Sequence, residues 1–384
     1  MTKHQSNTAW ALLLCSSLAV ADGQMSGDLS FTAISEQTPT TDGLRSVISL
    51  APEVTWDIAP EASATFAPYL HYDQELTTDI HKAKVDIYWR GGNASLGIDQ
   101  VTWGKMEFSR LSDRINQTDL RSLLTGDPKQ GQAMARVSQN TPVGQFELLH
   151  LFDSPQRKYP TDLLPADVEA VYADKISEES SGWALRYDQY FGAFDIGIYG
   201  YTGVDRDPAV MVQNQRLQPY YDEVTQAGID LQYTAGSLLI KSAYRQSWDQ
   251  IQQDPVSYQL STADAQAYAI GAEYALNNND TASATVFAEY ANDSRGKSAL
   301  QAMQNDVSLG AKFGLNNLQN TEFTVAGNYD LDDEKSVYNL RAEHRWTDRT
   351  KLEVNAYISG KDSQSNPINY QPDSRFDFSL SYNF

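Results

Sequence analysis

The sequence has little cysteine, a deficit of positive charge and no long apolar run, and each shortage removes a class of protein. Cys15 is the only cysteine among 384 residues, so the chain can contain neither an internal disulfide nor a site built on several thiolates. Lysine and arginine number 29 against 50 aspartate and glutamate, which gives a net charge of −21. Such a surface repels nucleic acid, and we expect no nucleic-acid partner.

Apolar residues are also never concentrated enough for a membrane-spanning helix, which requires roughly 20 in succession. The mean hydropathy of the chain is −0.49. Lipid admits only helices and closed barrels, because both satisfy every backbone polar group internally. The chain therefore either crosses no membrane or crosses one as a β-barrel.

The first 21 residues have the pattern of a secretory signal peptide. A polar start with Lys3 precedes the apolar stretches 9–14 and 18–20, and Ala19-Val20-Ala21 has the small-x-small form of a cleavage site. We expect residues 1–21 to be removed with Cys15, and residues 22–384 to form the exported protein.

Alternation with a period of two residues is abundant. The final stretch RFDFSLSYNF, residues 375–384, places its apolar side chains on one face of a strand and its polar side chains on the other. Such stretches recur with lengths of about ten residues, which is what a tilted strand needs to cross a bilayer. We identify eighteen, centred on 27–35, 46–57, 63–73, 80–90, 93–102, 131–140, 144–153, 181–191, 193–202, 224–235, 237–248, 265–276, 281–291, 305–314, 320–330, 335–346, 349–360 and 375–384.

The links between these stretches alternate in length. After each even-numbered stretch the link is short and turn-like, as in RGGN at 90–93 and NNND at 277–280, and Gly and Asn favour tight hairpins. Most links after odd-numbered stretches are long, such as 103–130 and 154–180. Outer-membrane barrels combine short periplasmic turns with long extracellular loops. The sequence therefore predicts an all-β, transmembrane, antiparallel up-and-down barrel of 18 strands, with 16 as the alternative count.

The terminal strand resembles the assembly signal of Gram-negative outer-membrane proteins, which ends in phenylalanine and is apolar at every second position. The matching residues are Phe376, Phe378, Leu380, Tyr382 and Phe384. The resemblance implies insertion by the barrel-assembly machinery, location in the outer membrane after export, and contact with lipid and lipopolysaccharide.

A narrower resemblance lies in residues 95–123. A poorly characterised group of porin-like outer-membrane proteins carries Trp-Gly at the end of a strand and Asp-x-Ile-Asn-Pro-x-Asp in the loop that follows. The residues that match are Trp103, Gly104, Asp113, Ile115, Asn116 and Asp119, and Gln117 stands where that group has proline. The resemblance implies a porin-like barrel.

Residues 103–130 would form the third extracellular loop, which in general porins folds into the barrel and narrows the pore. Apolar residues lie between the charges of this loop, and they need a dry surface to pack on. We predict an inward fold, with a solvated surface loop as the alternative. The candidate constriction residues are Lys105, Glu107, Arg110, Asp113, Arg114, Asp119 and Arg121.

The polar face of the strands predicts a charged lumen. Because most of its candidate wall residues are basic, we expect a basic section of wall, while acids would crowd the loops and rims. The candidate wall residues are Lys82, Lys84, Asp86, Arg90, Arg186, Lys241, Arg245, Arg341, Glu343 and Arg345.

Three functions fit such a barrel. We favour a channel for passive diffusion of small hydrophilic solutes and ions, because a barrel of 16–18 strands leaves an aqueous path. A scaffold or export partner that conducts little is the alternative. An enzyme is the weakest, since no signature of a nucleophile and its base appears. The histidines lack metal-ligand spacing, and we expect no metal and no cofactor. Homo-oligomer formation stays open.

Overall fold

The computed structural model describes residues 23–37, 42–73, 75–121, 129–159, 168–172, 180–301, 303–360 and 374–384. The predicted signal peptide, residues 1–21, lies outside the described residues. Within these ranges the chain forms 21 strands: β1 (Gly23–Gln37), β2 (Asp42–Ala59), β3 (Ala62–Asp73), β4 (Glu75–Trp89), β5 (Gly92–Asp99), β6 (Gln132–Thr141), β7 (Gly144–Leu151), β8 (Glu169–Ala170), β9 (Gly182–Phe191), β10 (Phe194–Val204), β11 (Ala209–Gln213), β12 (Arg216–Tyr220), β13 (Glu223–Ala235), β14 (Leu238–Gln253), β15 (Leu260–Asn278), β16 (Ala282–Asp293), β17 (Asn305–Leu315), β18 (Thr321–Asp330), β19 (Lys335–Thr347), β20 (Thr350–Ser359) and β21 (Ser374–Asn383).

Eighteen of these strands form one closed antiparallel sheet, which confirms the predicted fold and strand count. Each strand pairs with its neighbour in the chain, apart from three short strands in loops, and β1 pairs with both β2 and β21. Closure leaves no unpaired strand edge, which is the condition for a sheet in lipid. Among the described residues, no helix has the length and apolarity that crossing a bilayer requires.

The two faces of the wall separate apolar from polar side chains. In β4, Val85, Ile87 and Trp89 are 40%, 54% and 42% exposed, whereas Asp86 between them is 4% exposed. In β9 the outward Leu185 and the inward Arg186 differ in the same way. Because neighbouring side chains of a strand point to opposite faces, the exposed apolar groups cover the outside and the charged groups face the lumen.

The seam between β1 and β21 closes on the last residue of the chain. The backbone N–H of Phe384 donates to the carbonyl of Gly27 across 3.1 Å. A Cβ placed on Gly27 would lie 2.5 Å from Cζ of Phe384 and 2.8 Å from Cα of Pro52. The terminal ring therefore lies over Gly27, where no other residue leaves space for it. The other residues of the predicted assembly signal, Phe376, Phe378, Leu380 and Tyr382, are exposed on the outer face.

Several strands continue beyond the limits that the alternation predicts, and β14 and β15 show one cause. β14 continues to Gln253 and β15 begins at Leu260, beyond the predicted limits of 237–248 and 265–276. The register shifts between Ser247 and Gln250, and Asp249 has a φ of +57°. Such a bulge interrupts the period of two while the pairing continues, which is why the sequence pattern ends before the strands do.

Loops collect at the end of the barrel opposite the short turns. There, β11 and β12 form a hairpin within the link 205–222, and β8 joins β12 in parallel. Val210 and Leu217 of this small sheet pack with Tyr159 of the preceding loop. The loops after β7 and β10 thus share a small apolar core.

Placing arginine at the outer face tests the assignment of the two faces. Leu340 in β19 is 46% exposed among other outward apolar groups, and Leu340→Arg should destabilise the barrel in lipid vesicles by about 2–4 kcal/mol. The matched control is Asn339→Arg, the neighbouring position on the inner face, where we expect a small change. Unfolding by urea in the presence of vesicles measures both, and equal losses would contradict the assignment.

Candidate functional site

The third loop leaves the wall after β5 and returns at β6, and Asn116 ties its two ends together. The side chain of Asn116 accepts a hydrogen bond from the backbone N–H of Val101 (2.7 Å). Its Nδ2 donates to the carbonyl oxygens of Asp99 (3.0 Å) and Gln130 (2.8 Å). One buried amide therefore closes the neck of the loop, and the residues between 101 and 116 leave the wall as a single excursion.

Trp103 and Ile115 fix the base of this excursion against the inside of the barrel. They are 6% and 0% exposed. They share a buried cluster with Met134, Leu149 and Tyr199, which belong to the inner face of β6, β7 and β10. Nε1 of Trp103 also donates to Glu147 across 3.2 Å. The lumen face is apolar at this point because the loop covers it.

Beyond this base, residues 104–112 form a projection whose ends adjoin, which we call the lumen segment. A Cβ placed on Gly104 would lie 4.0 Å from Cβ of Ser112. Gly104 has a φ of +113°, a conformation that residues with a side chain rarely adopt. The segment therefore turns away from the neck and returns to it, so it can be considered as a unit.

A single carboxylate on the inner wall holds the middle of the lumen segment. Glu289 of β16 accepts hydrogen bonds from the backbone N–H groups of Glu107 (3.1 Å), Phe108 (3.2 Å) and Ser109 (2.6 Å). The ring of Phe108 packs beside that of Phe287, which lies on β16 with Glu289, and the ring centroids are 5.6 Å apart. Three consecutive amides are thus satisfied by one side chain, which is 5% exposed.

Ion pairs fix the segment on either side of this contact. Nζ of Lys105 lies 2.7 Å from Asp195 of β10, and Glu107 lies 2.8 Å from Nζ of Lys241 on β14, which also pairs with Glu273. Burial alone would raise the pKa of Glu107, but the hydrogen bond and charge of Lys241 outweigh it and lower that pKa. Ion pairs of Lys105 and of the ionised Glu107 therefore attach the segment to the wall.

The aliphatic side chains of the segment pack on small residues. Leu111 and Met106 contact a patch of alanines on the inner face of β14, β15 and β16, which includes Ala267 and Ala269. The carbonyl oxygen of Leu111 accepts hydrogen bonds from Tyr199 and Arg245, each 3.3 Å long. Alanines leave room beside the wall that larger side chains would fill, so the segment lies along the inner surface from β10 to β16.

Removing the Glu289 carboxylate should release the lumen segment. Glu289→Ala leaves the backbone N–H groups of residues 107–109 without their acceptor, and an unsatisfied group that is buried, as at Ser109, costs about 1–3 kcal/mol. We expect amide hydrogens of residues 107–109 to exchange faster with deuterium, by roughly tenfold or more, as measured by mass spectrometry of the folded protein. Glu353→Gln, also on the inner wall but on β20, is the control and should leave this exchange unchanged. Unaltered protection in Glu289→Ala would contradict the anchoring role.

A buried ionic cluster joins the third loop to its neighbours. Arg114 pairs with Asp205 and, through Nη1, with Asp207 at 2.6 Å. Arg157, from the loop after β7, also reaches Asp207 at 3.0 Å. Gln250 of β14 donates to Asp205 across 2.9 Å. Three loops and one strand of the wall therefore meet at two carboxylates.

The two arginines keep Asp207 ionised. Burial would raise the pKa of this carboxyl, but the attraction of Arg114 and Arg157 exceeds that effect and holds the pKa well below its usual range. A lowered pKa means that the stabilisation is present above the ordinary value of 3.8 and is lost only when the pH falls through the lower folded value. The cluster therefore persists at neutral and mildly acidic pH.

The predicted constriction residues thus separate into three groups. In the first group, which belongs to the lumen segment, Lys105 and Glu107 form ion pairs with the inner wall and Arg110 is exposed. Arg114 is different from the prediction, since its charge is compensated by two carboxylates and its side chain is 6% exposed. The remaining three lie near the neck, where Asp113 pairs with Lys129 at 2.7 Å and Asp119 pairs with Arg121 at 2.6 Å.

The predicted wall residues do not form a basic surface, because carboxylates accompany most of them. The pairs are Lys82 with Glu53 (2.8 Å), Lys84 with Asp99 (2.8 Å) and Asp86 (3.4 Å), Arg186 with Asp188 (2.7 Å) and Asp230 (3.0 Å), Lys241 with Glu107 (2.8 Å), Arg245 with Asp293 (3.8 Å), and Arg341 with Glu343 (2.6 Å). Arg90 lies in the exposed turn after β4, and Arg345 is exposed towards the end of β19. The expectation of a basic section of wall is therefore wrong, because the wall carries paired positive and negative charges.

Several residues that hold the third loop or pair charges on the wall have no sequence signal of their own. Glu289 and Asp230 are single acids within alternating strands, and Asp205 stands beside Asp207 in a loop, so only inward parity or loop position marks them. Their partners lie far away in sequence, as with Glu289 and Ser109. Within the described ranges, no group of three or more His, Cys, Asp or Glu side chains is arranged to hold a metal ion.

Comparison with known proteins identifies the fold. No protein-family model matches this chain, and no curated protein sequence matches it. Among solved structures, it is similar to OccAB3 of Acinetobacter baumannii, with 10% identity and a TM-score of 0.60 over 95% of this chain and 100% of that one. OccK8 (OprE) of Pseudomonas aeruginosa has 8% identity and a TM-score of 0.57 over 94% and 98%. OmpF of Salmonella typhi, solved with daunomycin, has 9% identity and a TM-score of 0.52 over 94% of this chain and 97% of that one. These structural similarities show a shared barrel fold.

Proposed function

We propose that this chain is an outer-membrane channel through which small hydrophilic solutes and ions diffuse passively, and that the lumen segment forms its constriction. One observation carries the proposal: a closed 18-strand wall is apolar outside and charged inside, and a loop is attached to its inner face. A barrel of this strand number encloses more space than its own wall side chains fill.

The membrane part of the proposal follows from the outer face. The outer face exposes many Leu, Ile, Val, Phe, Tyr and Trp side chains, which is unfavourable in water. Lipid stabilises such a surface. The short turns would face the periplasm and the long loops the cell surface of a Gram-negative bacterium. Export through residues 1–21 and assembly through the strand that ends in Phe384 belong to the same proposal.

The constriction part follows from the attachment of the lumen segment. Its charges at Lys105 and Glu107 are held on the wall by Asp195 and Lys241, and its apolar side chains pack on β14 to β16. A loop fixed by such contacts stays in the path of a solute, because releasing it exposes apolar surface and breaks ion pairs. Pore width and lumen charge then determine which solutes pass.

Electrical recording in planar bilayers tests the channel. Purified, folded protein should insert with discrete current steps that increase linearly with voltage, because the lumen segment is fixed to the wall by Glu289 and by two ion pairs. Protein unfolded by boiling serves as the control for contaminating channels. Folded, inserted protein that carries no current would refute the channel and favour a scaffold or export partner.

A further inference from the structure

Three glutamates stand opposite one another on the inner face of three neighbouring strands. Glu322 of β18 is in register with Glu343 of β19, and Glu343 is in register with Glu353 of β20. Like charges at directly opposed positions destabilise a sheet. A row of three such positions can persist only if other charges compensate it.

Three cations provide that compensation. Nζ of Lys312 lies 3.3 Å from Glu322. Nη2 of Arg341 lies 2.6 Å from Glu343 and 2.8 Å from Glu353, and Nζ of Lys351 lies 3.5 Å and 3.1 Å from the same two carboxylates. We call these six residues the charge ladder: Lys312, Glu322, Arg341, Glu343, Lys351 and Glu353. Its formal charges cancel, yet it presents both signs.

Unlike the ionic cluster around Arg114, the ladder remains accessible. The side chains of Lys312, Arg341 and Lys351 are 50%, 41% and 39% exposed, and those of Glu322 and Glu343 are 33% and 24% exposed. They belong to the inner face, so what they are exposed to is the lumen. Side chains that are only partly satisfied by one another keep donors and acceptors free for a solute.

The ladder also lies near the level of the lumen segment. Lys351 directly follows Thr350, the start of β20, and Lys241, which binds the segment, lies three residues after Leu238, the start of β14. Both starts belong to short turns at the same end of the barrel. At roughly 3.3 Å per residue, these positions differ by only a few ångströms along their strands.

We infer that the solutes this channel passes best are zwitterions of the amino-acid type, and that the charge ladder is where they bind in transit. The inference rests on the proposed channel function. A solute ammonium group approaches the glutamate row while its carboxylate approaches Arg341 and Lys351, so both ends of the solute exchange water for a charged partner. An anion of the same size meets the glutamates without a matching group, and a cation meets the arginine and lysines in the same way.

The magnitude of the preference follows from the exposure of the ladder. Exposed ion pairs are worth up to about 1 kcal/mol, so selection by roughly three- to fivefold is expected rather than strict exclusion. The alternative is governed by the net charge of −21, which would enrich cations throughout the lumen. In that case permeation would follow charge in the order cation, zwitterion, anion.

Competition among three solutes of one size tests the inference. Liposomes containing the protein are loaded with equal concentrations of L-alanine, L-lactate and L-alaninamide, which are a zwitterion, an anion and a cation at the assay pH. Mass spectrometry follows their release, corrected for protein-free liposomes. We expect L-alanine to leave about three- to fivefold faster than either of the others. Because the three solutes share each vesicle, the ratio does not depend on the number of channels.

Variants that replace the charged side chains of the ladder by glutamine test whether the ladder causes the preference for the zwitterion. Replacing the three glutamates by glutamine should raise release of lactate relative to alanine, and replacing Lys312, Arg341 and Lys351 by glutamine should raise release of alaninamide. The control is Lys297→Gln with Asp333→Asn, an exposed pair at 2.6 Å in the surface loops, which should change neither ratio.

The outcomes separate the two proposals. If the wild-type protein releases none of the three solutes, the channel function fails and the inference fails with it. If release follows the order cation, zwitterion, anion, or is equal for all three, the channel stands and the zwitterion inference is wrong. This comparison uses the wild-type protein alone, so it holds even if a variant does not fold.

Discussion

Excision of the lumen segment should raise the single-channel conductance by about twofold or more, because current through a pore is limited by its narrowest part. The variant removes residues 105–111 and joins Gly104 to Ser112 through two glycines. The join is feasible because a Cβ on Gly104 would lie 4.0 Å from that of Ser112. The neck held by Asn116 and the cluster around Arg114 both remain.

The control for this deletion is a shortened loop elsewhere that leaves the lumen segment in place. The link Asp254–Gln259 between β14 and β15 is exposed and is bridged by a hydrogen bond between Asp254 and Gln259. Shortening it by two residues should leave the conductance as in the wild type. If the barrel without residues 105–111 assembles and conducts as before, the segment is not the constriction and the pore is limited elsewhere.

Breaking the buried ionic cluster should have the largest effect on stability. Arg114→Met removes the cation that pairs with Asp205 and Asp207, and the Arg114 side chain is only 6% exposed. Arg157 still pairs with Asp207, but Asp205 loses its cation, and taking one partner from a buried ion pair costs about 3–5 kcal/mol because the charge that remains is poorly solvated. Urea unfolding in lipid vesicles at pH 7 measures this loss.

Two further variants separate charge from packing. Arg110→Met changes the same side chain at an exposed site, and the expected change there is within about 0.5 kcal/mol. Adding Asp205→Asn to Arg114→Met removes the carboxylate that has lost its cation and should recover part of the loss, while the pair of Arg157 and Asp207 remains. A double variant no more stable than Arg114→Met alone would show that packing, and not the uncompensated carboxylate of Asp205, causes the destabilisation.

The wall of this protein was readable from the sequence because its cause is local. Each strand needs an apolar face towards lipid and a polar face towards water, and the two-residue period of a strand records that need in adjacent residues such as Leu185 and Arg186. The alternation of short turns and long loops recorded the topology in the same way. The predicted limits of β14 and β15 were too short because a bulge near Asp249 interrupted the period while pairing continued.

The inside of the barrel was different, since its contacts join residues that are distant in the chain. The sequence marked Arg114 and Lys241 as charged and inward, but nothing near them shows that Arg114 meets Asp205 or that Lys241 meets Glu107. Which charges cancel, which stay accessible, and where the third loop lies are set by closure of the sheet, because closure alone brings strands 100 or more residues apart around one lumen. The sequence by itself therefore determined a barrel with a charged interior, and the tertiary structure decided how those charges are paired.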